Sequence, residues 1–155
     1  NCFGFYPSLK HRADTPPSVP INKLSAMPLK LSLTKGERFV VNGAVIKNDG
    51  PDTSLVFENR AHILRQKDIM TNDDAQTPAR RVYLALQCAY MFPERQNEHL
   101  ATFRTMLGDY RTAAPSAAAI ADILDGYADR NDLYGALKEC RKLIEHETEI
   151  LDHAK

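Results

Sequence analysis

Six cationic side chains, Lys30, Lys35, Arg38, Lys47, Arg65 and Lys67, fall within one short stretch of this 155-residue chain. Ammonium and guanidinium groups at strand edges suit phosphate oxygens, and the backbone beside them suits unpaired bases. As a solvated sheet face the same six need no further explanation, since lysine is a usual device for keeping strand edges apart. Ser32 lies among them with no histidine in a nucleophile motif. A second basic pair, Arg80-Arg81, sits in the first turns of a helix, where positive charge opposes the macrodipole by about 0.3–1 kcal/mol. Two accounts stay open for that pair: a bridge to Asp73 or Asp74, or contact with a partner protein.

Catalytic and metal-binding patterns find little support. Gly36, Gly43 and Gly50 sit in strand turns and not in a strand–loop–helix phosphate cradle. His146, Glu149 and His153 share one helix, yet a zinc site needs three or four convergent ligands, so they read as a solvated face. Asp73-Asp74 and the set Asp122, Asp125 and Asp129 have no neighbours that would push their titrations apart, and read as cap and surface charges. Cys88 and Cys140 occupy apolar helical slots, as small buried residues do. The expectation is a protein without catalysis, cofactor or metal.

Formal net charge is zero but unevenly spread. Residues 27–70 carry seven Lys/Arg against five Asp/Glu; residues 71–155 carry ten against fourteen. A surplus of two supports nucleic-acid binding only if the cations share one face. Three widely spaced cysteines read as reduced thiols and not as a disulfide framework, which points to the cytoplasm. No apolar run approaches the roughly 18 residues of a membrane span.

Those cations must be held by strands. Leu29, Leu31 and Leu33 alternate with Lys30, Ser32 and Thr34, a period of two. Lys35-Gly36-Glu37 turns the chain. Phe39-Val40-Val41 and Ala44-Val45-Ile46 flank Asn42-Gly43, the pair that a type I′ hairpin turn prefers. Ser54–Phe57 and His62–Arg65 follow, with Asn59-Arg60 as a second two-residue turn, so residues 27–70 read as four or five strands in a meander. So small a sheet buries little core alone and must pair with a second copy or dock on helices.

Residues 71–76 form a polar linker. Thr77-Pro78 then gives a cap and a proline at the first helical position. Apolar residues recur at steps of three and four through Val82–Ala89, Leu100–Tyr110, Ile120–Tyr127 and Leu133–Leu151, four segments separated by Pro93, Ala114-Pro115-Ser116 and Asp129–Asp132. Pro93 ends the first helix or starts the second, and Ser116 reads as a cap. Residues 71–155 are expected to form an antiparallel bundle of three to four helices. Residues 1–26, with four prolines, read as an extra arm or a misassigned start.

Two family resemblances follow from these residues. MPLKLSLTKGERFVVNGAVIKN (27–48), ENRAHILRQKDI (58–69), TPARRVYLALQ (77–87) and ALKECRKLI (136–144) together resemble the FlbT family of alphaproteobacterial flagellin regulators. The resemblance implies a cytoplasmic post-transcriptional repressor that acts on the 5′ untranslated region of flagellin messenger RNA and destabilises the transcript. More distantly, residues 29–69 resemble the RNA-binding carbon-storage regulator family, CsrA, through LKLSLTKGERFVVNGAVI and ILRQKDI. That second resemblance implies an intertwined homodimer whose RNA site joins the first strand of one copy to the last strand of the other. By position, the stretch before Gly-Glu falls on Leu33, Thr34 and Lys35, and the last-strand arginine on Arg65 or Gln66.

The resulting expectation is an α+β protein: a small antiparallel β module followed by the helical bundle. Lys30, Ser32, Lys35, Arg38, Arg65 and Lys67 are the candidate RNA-binding residues, and Arg80 and Arg81 the candidate partner-binding ones. The partners expected are the flagellin mRNA leader and a second copy of the chain. The rival expectation is an adaptor that couples flagellar assembly to flagellin expression through a flagellar regulatory protein bound to the acidic helices.

Overall fold

A computed structural model describes residues 28–153, which divide into two compact units, 28–67 and 68–153. The arm or misassigned start expected at 1–26 lies outside the described residues. Strands precede helices, so the fold class is α+β, as the sequence patterns indicate.

The first unit has five strands: β1 (Leu29–Leu33), β2 (Arg38–Val41), β3 (Ala44–Lys47), β4 (Thr53–Phe57) and β5 (Ile63–Arg65). β2 and β3 form the expected hairpin. Asn42 and Gly43 take φ of 48° and 84°, the left-handed values that this two-residue turn demands at both positions. The rest is not a meander. β1 pairs antiparallel with β4, and β5 pairs antiparallel with β2, giving a two-stranded sheet β1-β4 and a three-stranded sheet β3-β2-β5. The expected turn at Asn59-Arg60 joins no hairpin; it lacks the glycine that a second positive φ favours.

Burial explains this pairing. Leu31 and Leu33 from β1 pack with Phe39 of β2 and Ile63 of β5 into one cluster, flanked by Val41, Phe57 and Ala61. The Phe39 and Phe57 rings meet edge to face at 6.3 Å. The leucine alternation therefore holds for Leu31 and Leu33, while Leu29 at the strand's start is exposed. Asn48 fastens the loops: its Nδ2 donates to the carbonyls of Thr34 (3.1 Å) and Pro51 (3.0 Å), and its own carbonyl accepts from Gly36 N at 2.7 Å.

The second unit holds α1 (Pro78–Met91), α2 (Gln96–Ala113), α3 (Ala118–Asp129) and α4 (Leu133–His153). α1 packs on α2 and α4, and α3 packs on α4 and α2. Val82, Leu86, Phe103, Leu107, Leu124 and Leu143 fill the centre. Pro93 and Pro115 each open a short 3-10 turn leading into α2 and α3, positions where a missing N–H costs nothing. Ser116 does not cap α3; its Oγ lies 2.9 Å from His146 Nε2. Asp132 caps α4 by accepting the Gly135 N–H at 3.0 Å. A Cβ at Gly135 would come within 2.7 Å of the Tyr127 ring, so only glycine lets the two helices approach here. Cys140 is a free, buried thiol, and Cys88 is buried as well, as expected for small residues in apolar helical slots.

The segment that leads into the helices is clamped. Buried Gln87 exchanges two hydrogen bonds with the backbone of Met70, Nε2 to O at 3.0 Å and N to Oε1 at 2.8 Å. The Tyr83 hydroxyl donates to the Asp68 carbonyl at 2.7 Å, and Arg141 pairs with the Asp68 carboxylate.

Candidate nucleic-acid interface

Residues directly opposite in an antiparallel pair share a face. On β1-β4 the inward face carries Leu31 and Leu33. The outward face carries Lys30 opposite Val56 and Ser32 opposite Ser54, all exposed. On β3-β2-β5 one face carries Phe39, Ile46 and Arg65 in one row, with Phe39 in the core cluster; the other carries Arg38 opposite Lys47, both exposed, and Val40 between Val45 and Leu64, where Val40 and Leu64 are buried as well. The core cluster joins the Leu31 and Leu33 face of one sheet to the Phe39 face of the other, so Lys30 and Arg38 stand on faces turned away from that cluster on different sheets.

This geometry sorts the sequence-derived cations. Lys30 and Ser32 share the outer face of β1-β4. Lys35 is exposed in the turn just beyond β1, its backbone N–H donating to Asp52 Oδ1 at 2.8 Å. Arg38 lies on the other sheet with Lys47, and Lys47 is paired with Asp49 at 3.1 Å. Lys67 is exposed in the short 3-10 turn Gln66–Asp68. Arg65 is turned to the core side, beside Phe39. Its Nη2 donates to the Ser32 carbonyl at 2.6 Å, and its Nε lies 3.8 Å from Glu37 Oε1. Arg65 thus ties β5 to β1. The single copy places Lys30 and Ser32 on one outer face with Lys35 in the turn beyond β1, and holds Arg38 on the other sheet.

Beside Lys30 runs an open groove of about 500 Å³ lined by Ser32, Leu33, Thr34, Asp52, Thr53 and Ser54. The Ser32 and Ser54 hydroxyls lie 3.3 Å apart across the strand pair. The β4 half of this lining was not read from the sequence, because β1's partner is distant in the chain. The matching Ser/Thr alternation of Ser32-Leu33-Thr34 and Thr53-Ser54 was the available signal.

In the helical unit, Arg80 is half-buried and Arg81 exposed, its Nε reaching the Ala75 carbonyl at 3.4 Å. The ion pairs of the described residues do not include the anticipated bridge to Asp73 or Asp74. The Asp74 carboxylate instead accepts from Thr71 N and Oγ1, at 3.0 and 2.6 Å; those bonds, aided by the nearby charge of Arg80, hold it below the usual aspartate range. His146 is bracketed by Tyr110 and Ser116, and Arg104 and Arg111 link α2 to Asp129 and Asp122 of α3.

The molecule is thus a small α+β protein with a polar surface groove and, among the described residues, no group of three side chains able to hold a metal and no helix long and apolar enough to cross a membrane. The chain belongs to the FlbT family: the family model "Flagellar protein FlbT" matches residues 29–151. It is 39% identical over 129 residues to a Caulobacter sp. (strain K31) protein named "Probable flagellum biosynthesis repressor protein FlbT", covering 82% of this chain and 98% of that one. It is 38% identical to the "Flagellum biosynthesis repressor protein FlbT" of Caulobacter vibrioides (strain ATCC 19089 / CIP 103742 / CB 15), covering 82% and 92%. A Bradyrhizobium diazoefficiens relative, "Probable flagellum biosynthesis repressor protein FlbT 1", is 38% identical over 80% of this chain and 85% of its own length. No solved structure matches the chain.

Proposed function

We propose that this chain is a cytoplasmic repressor of flagellin synthesis that binds the 5′ untranslated leader of flagellin messenger RNA and so blocks translation and exposes the transcript to decay. The observation that carries the reading is the shared outer face of β1-β4, where Lys30 and Ser32 stand exposed beside a polar groove with Lys35 near its end. Flanking lysines attract phosphates, and the groove accepts a chain without secondary structure. Two copies acting together would bring two such faces to one leader. Arg65 supports the site through β1, and Lys67 lies in the turn that follows β5.

The test is a gel shift of a flagellin leader by purified protein without added factors. Affinity falls with salt, with a log–log slope of about −0.7 per phosphate contact. Lys30→Glu combined with Lys35→Glu abolishes the shift; unchanged affinity in that variant overturns the reading.

A second reading is favoured by the separation of Arg38 from Lys30 and the engagement of Arg65, which leave few cations on one face. It makes the protein an adaptor that binds a flagellar regulatory protein, with Arg80 and Arg81 in contact and the RNA effect indirect. Exposed Ile150 and Leu151 continue the apolar stripe of α4 past its buried part. Under this reading the leader shifts only when the partner protein is added.

A further inference from the structure

Resting on the RNA reading above, we propose that the groove between β1 and β4 recognises the ribose 2′-hydroxyls of single-stranded RNA and not its bases. Of the six lining residues, four carry hydroxyls (Ser32, Thr34, Thr53 and Ser54) and one a carboxylate, Asp52. A hydroxyl donates one hydrogen bond and accepts two, the same capacity as a ribose 2′-OH. DNA has no such group, which is how a protein tells the two apart at a given site.

The groove lacks the stacking platforms and paired donor–acceptor side chains on which strong base reading rests. None of its lining residues is aromatic, so there is no stacking platform. None is Asn, Gln or Arg, the side chains that grip base edges in pairs. The Ser32 and Ser54 hydroxyls lie 3.3 Å apart; one proton joins them and the second remains to be donated outward. Asp52 Oδ1 accepts from Lys35 N at 2.8 Å, leaving Oδ2 to accept from a sugar hydroxyl. Its negative charge also keeps phosphates out of the groove and sends them to the flank where Lys30 stands. The charges therefore set an orientation, sugar in and phosphate out. Recognition of this kind is tolerant of sequence and strict about sugar.

The experiment is fluorescence anisotropy on the full chain, with oligouridine of about twelve nucleotides, the matching oligodeoxyuridine, the 2′-O-methyl oligouridine and a flagellin leader. The expected result is binding of oligouridine about tenfold tighter than of oligodeoxyuridine, as one or two net hydrogen bonds supply. The 2′-O-methyl strand, which cannot donate to Asp52 and carries extra bulk, binds more weakly than oligouridine. Ser32→Ala with Ser54→Ala removes the preference and leaves the melting temperature unchanged; Ser32→Thr with Ser54→Thr retains it. Equal affinity for RNA and DNA overturns the inference, as does a preference that survives the double alanine variant. A leader bound tightly while oligouridine is ignored also overturns it, since bases are then being read, but leaves the RNA reading standing. Failure of the leader and oligouridine alike removes both.

Discussion

Glu147, near the end of α4, accepts the backbone N–H of Ala79 in the first turn of α1 at 2.9 Å. Its other carboxylate oxygen accepts the hydroxyl of Thr77. Thr77 thus gives its proton to Glu147 and makes no side-chain cap of its own. Helix N-termini expose unpaired N–H groups and attract negative charge, yet the first turn of α1 has no acidic residue and instead carries Arg80-Arg81. The anion comes from the fourth helix.

Replacing Glu147 by Ala is expected to cost about 1–3 kcal/mol, because it leaves a buried N–H unpaired and removes the charge at the dipole. Glu147→Gln keeps an acceptor and costs less. Urea unfolding followed by circular dichroism measures both, and a neutral alanine variant would show that the cap does not stabilise the bundle.

Gln87 does for Met70 what a neighbouring strand does in a ladder, pairing both N–H and C=O. Gln87→Leu fills similar volume but abandons both groups, at about 1–3 kcal/mol. Hydrogen exchange of the Met70 amide should quicken in this variant more than that of the α2 core.

Arg65 and Lys30 are separable by their effects. Arg65→Gln lowers the thermal midpoint of the sheet unit, since it removes the bond to the Ser32 carbonyl, and weakens RNA binding only through β1. Lys30→Gln leaves the stability of the sheet unit within about 0.5 kcal/mol, as exposed substitutions do, and weakens binding while reducing the salt slope. Arg38→Gln, on the other sheet, changes leader affinity less than Lys30→Gln. A midpoint unaffected by Arg65→Gln contradicts the tie between the sheets.

Alkali is expected to destabilise the helical unit. Burial, with minor contributions from Cys140 and Tyr134, pushes the Tyr83 hydroxyl from 10.0 to about 12; burial, with Glu147, pushes Tyr110 to about 12. A folded-state value raised above the unfolded one means the native state holds the proton more tightly. The stabilisation is complete below pH 10 and is lost as pH rises toward 12. Tyr110→Phe cannot ionise, so its unfolding midpoint between pH 9 and 11.5 (about that range) should fall less steeply than that of the parent.

What the sequence made legible was local. Asn42-Gly43 forms a hairpin because the turn's geometry depends on two adjacent residues, and α1 begins at Pro78 because a proline fits there. The pairing of β1 with β4 was not legible. Five short strands admit several orders, and the choice rests on how Leu31 and Leu33 meet Phe39 and Ile63. The Glu147 cap was hidden for the same reason: helical periodicity places Glu147 on a buried stripe without naming the N–H groups it will find there. For the site, Lys30 and Ser32 were placed on one outer face by the period of two. Arg65 sits in the same row as Phe39, a register that no spacing within the last strand displays.

The interleaved strand order has a bearing on synthesis. β2 meets β3 across two residues, while β1 has its partner only in 53–57 and β2 its second neighbour only in 63–65. Closing a short turn is fast and costs little entropy; closing the longer spans is slower. As the polypeptide emerges from the ribosome, the β2–β3 hairpin can assemble at once, whereas the strand bearing Lys30 and Ser32, although made first, waits for β4 to arrive. The surface proposed to grip a transcript is therefore completed only after its own nascent chain has grown well beyond it.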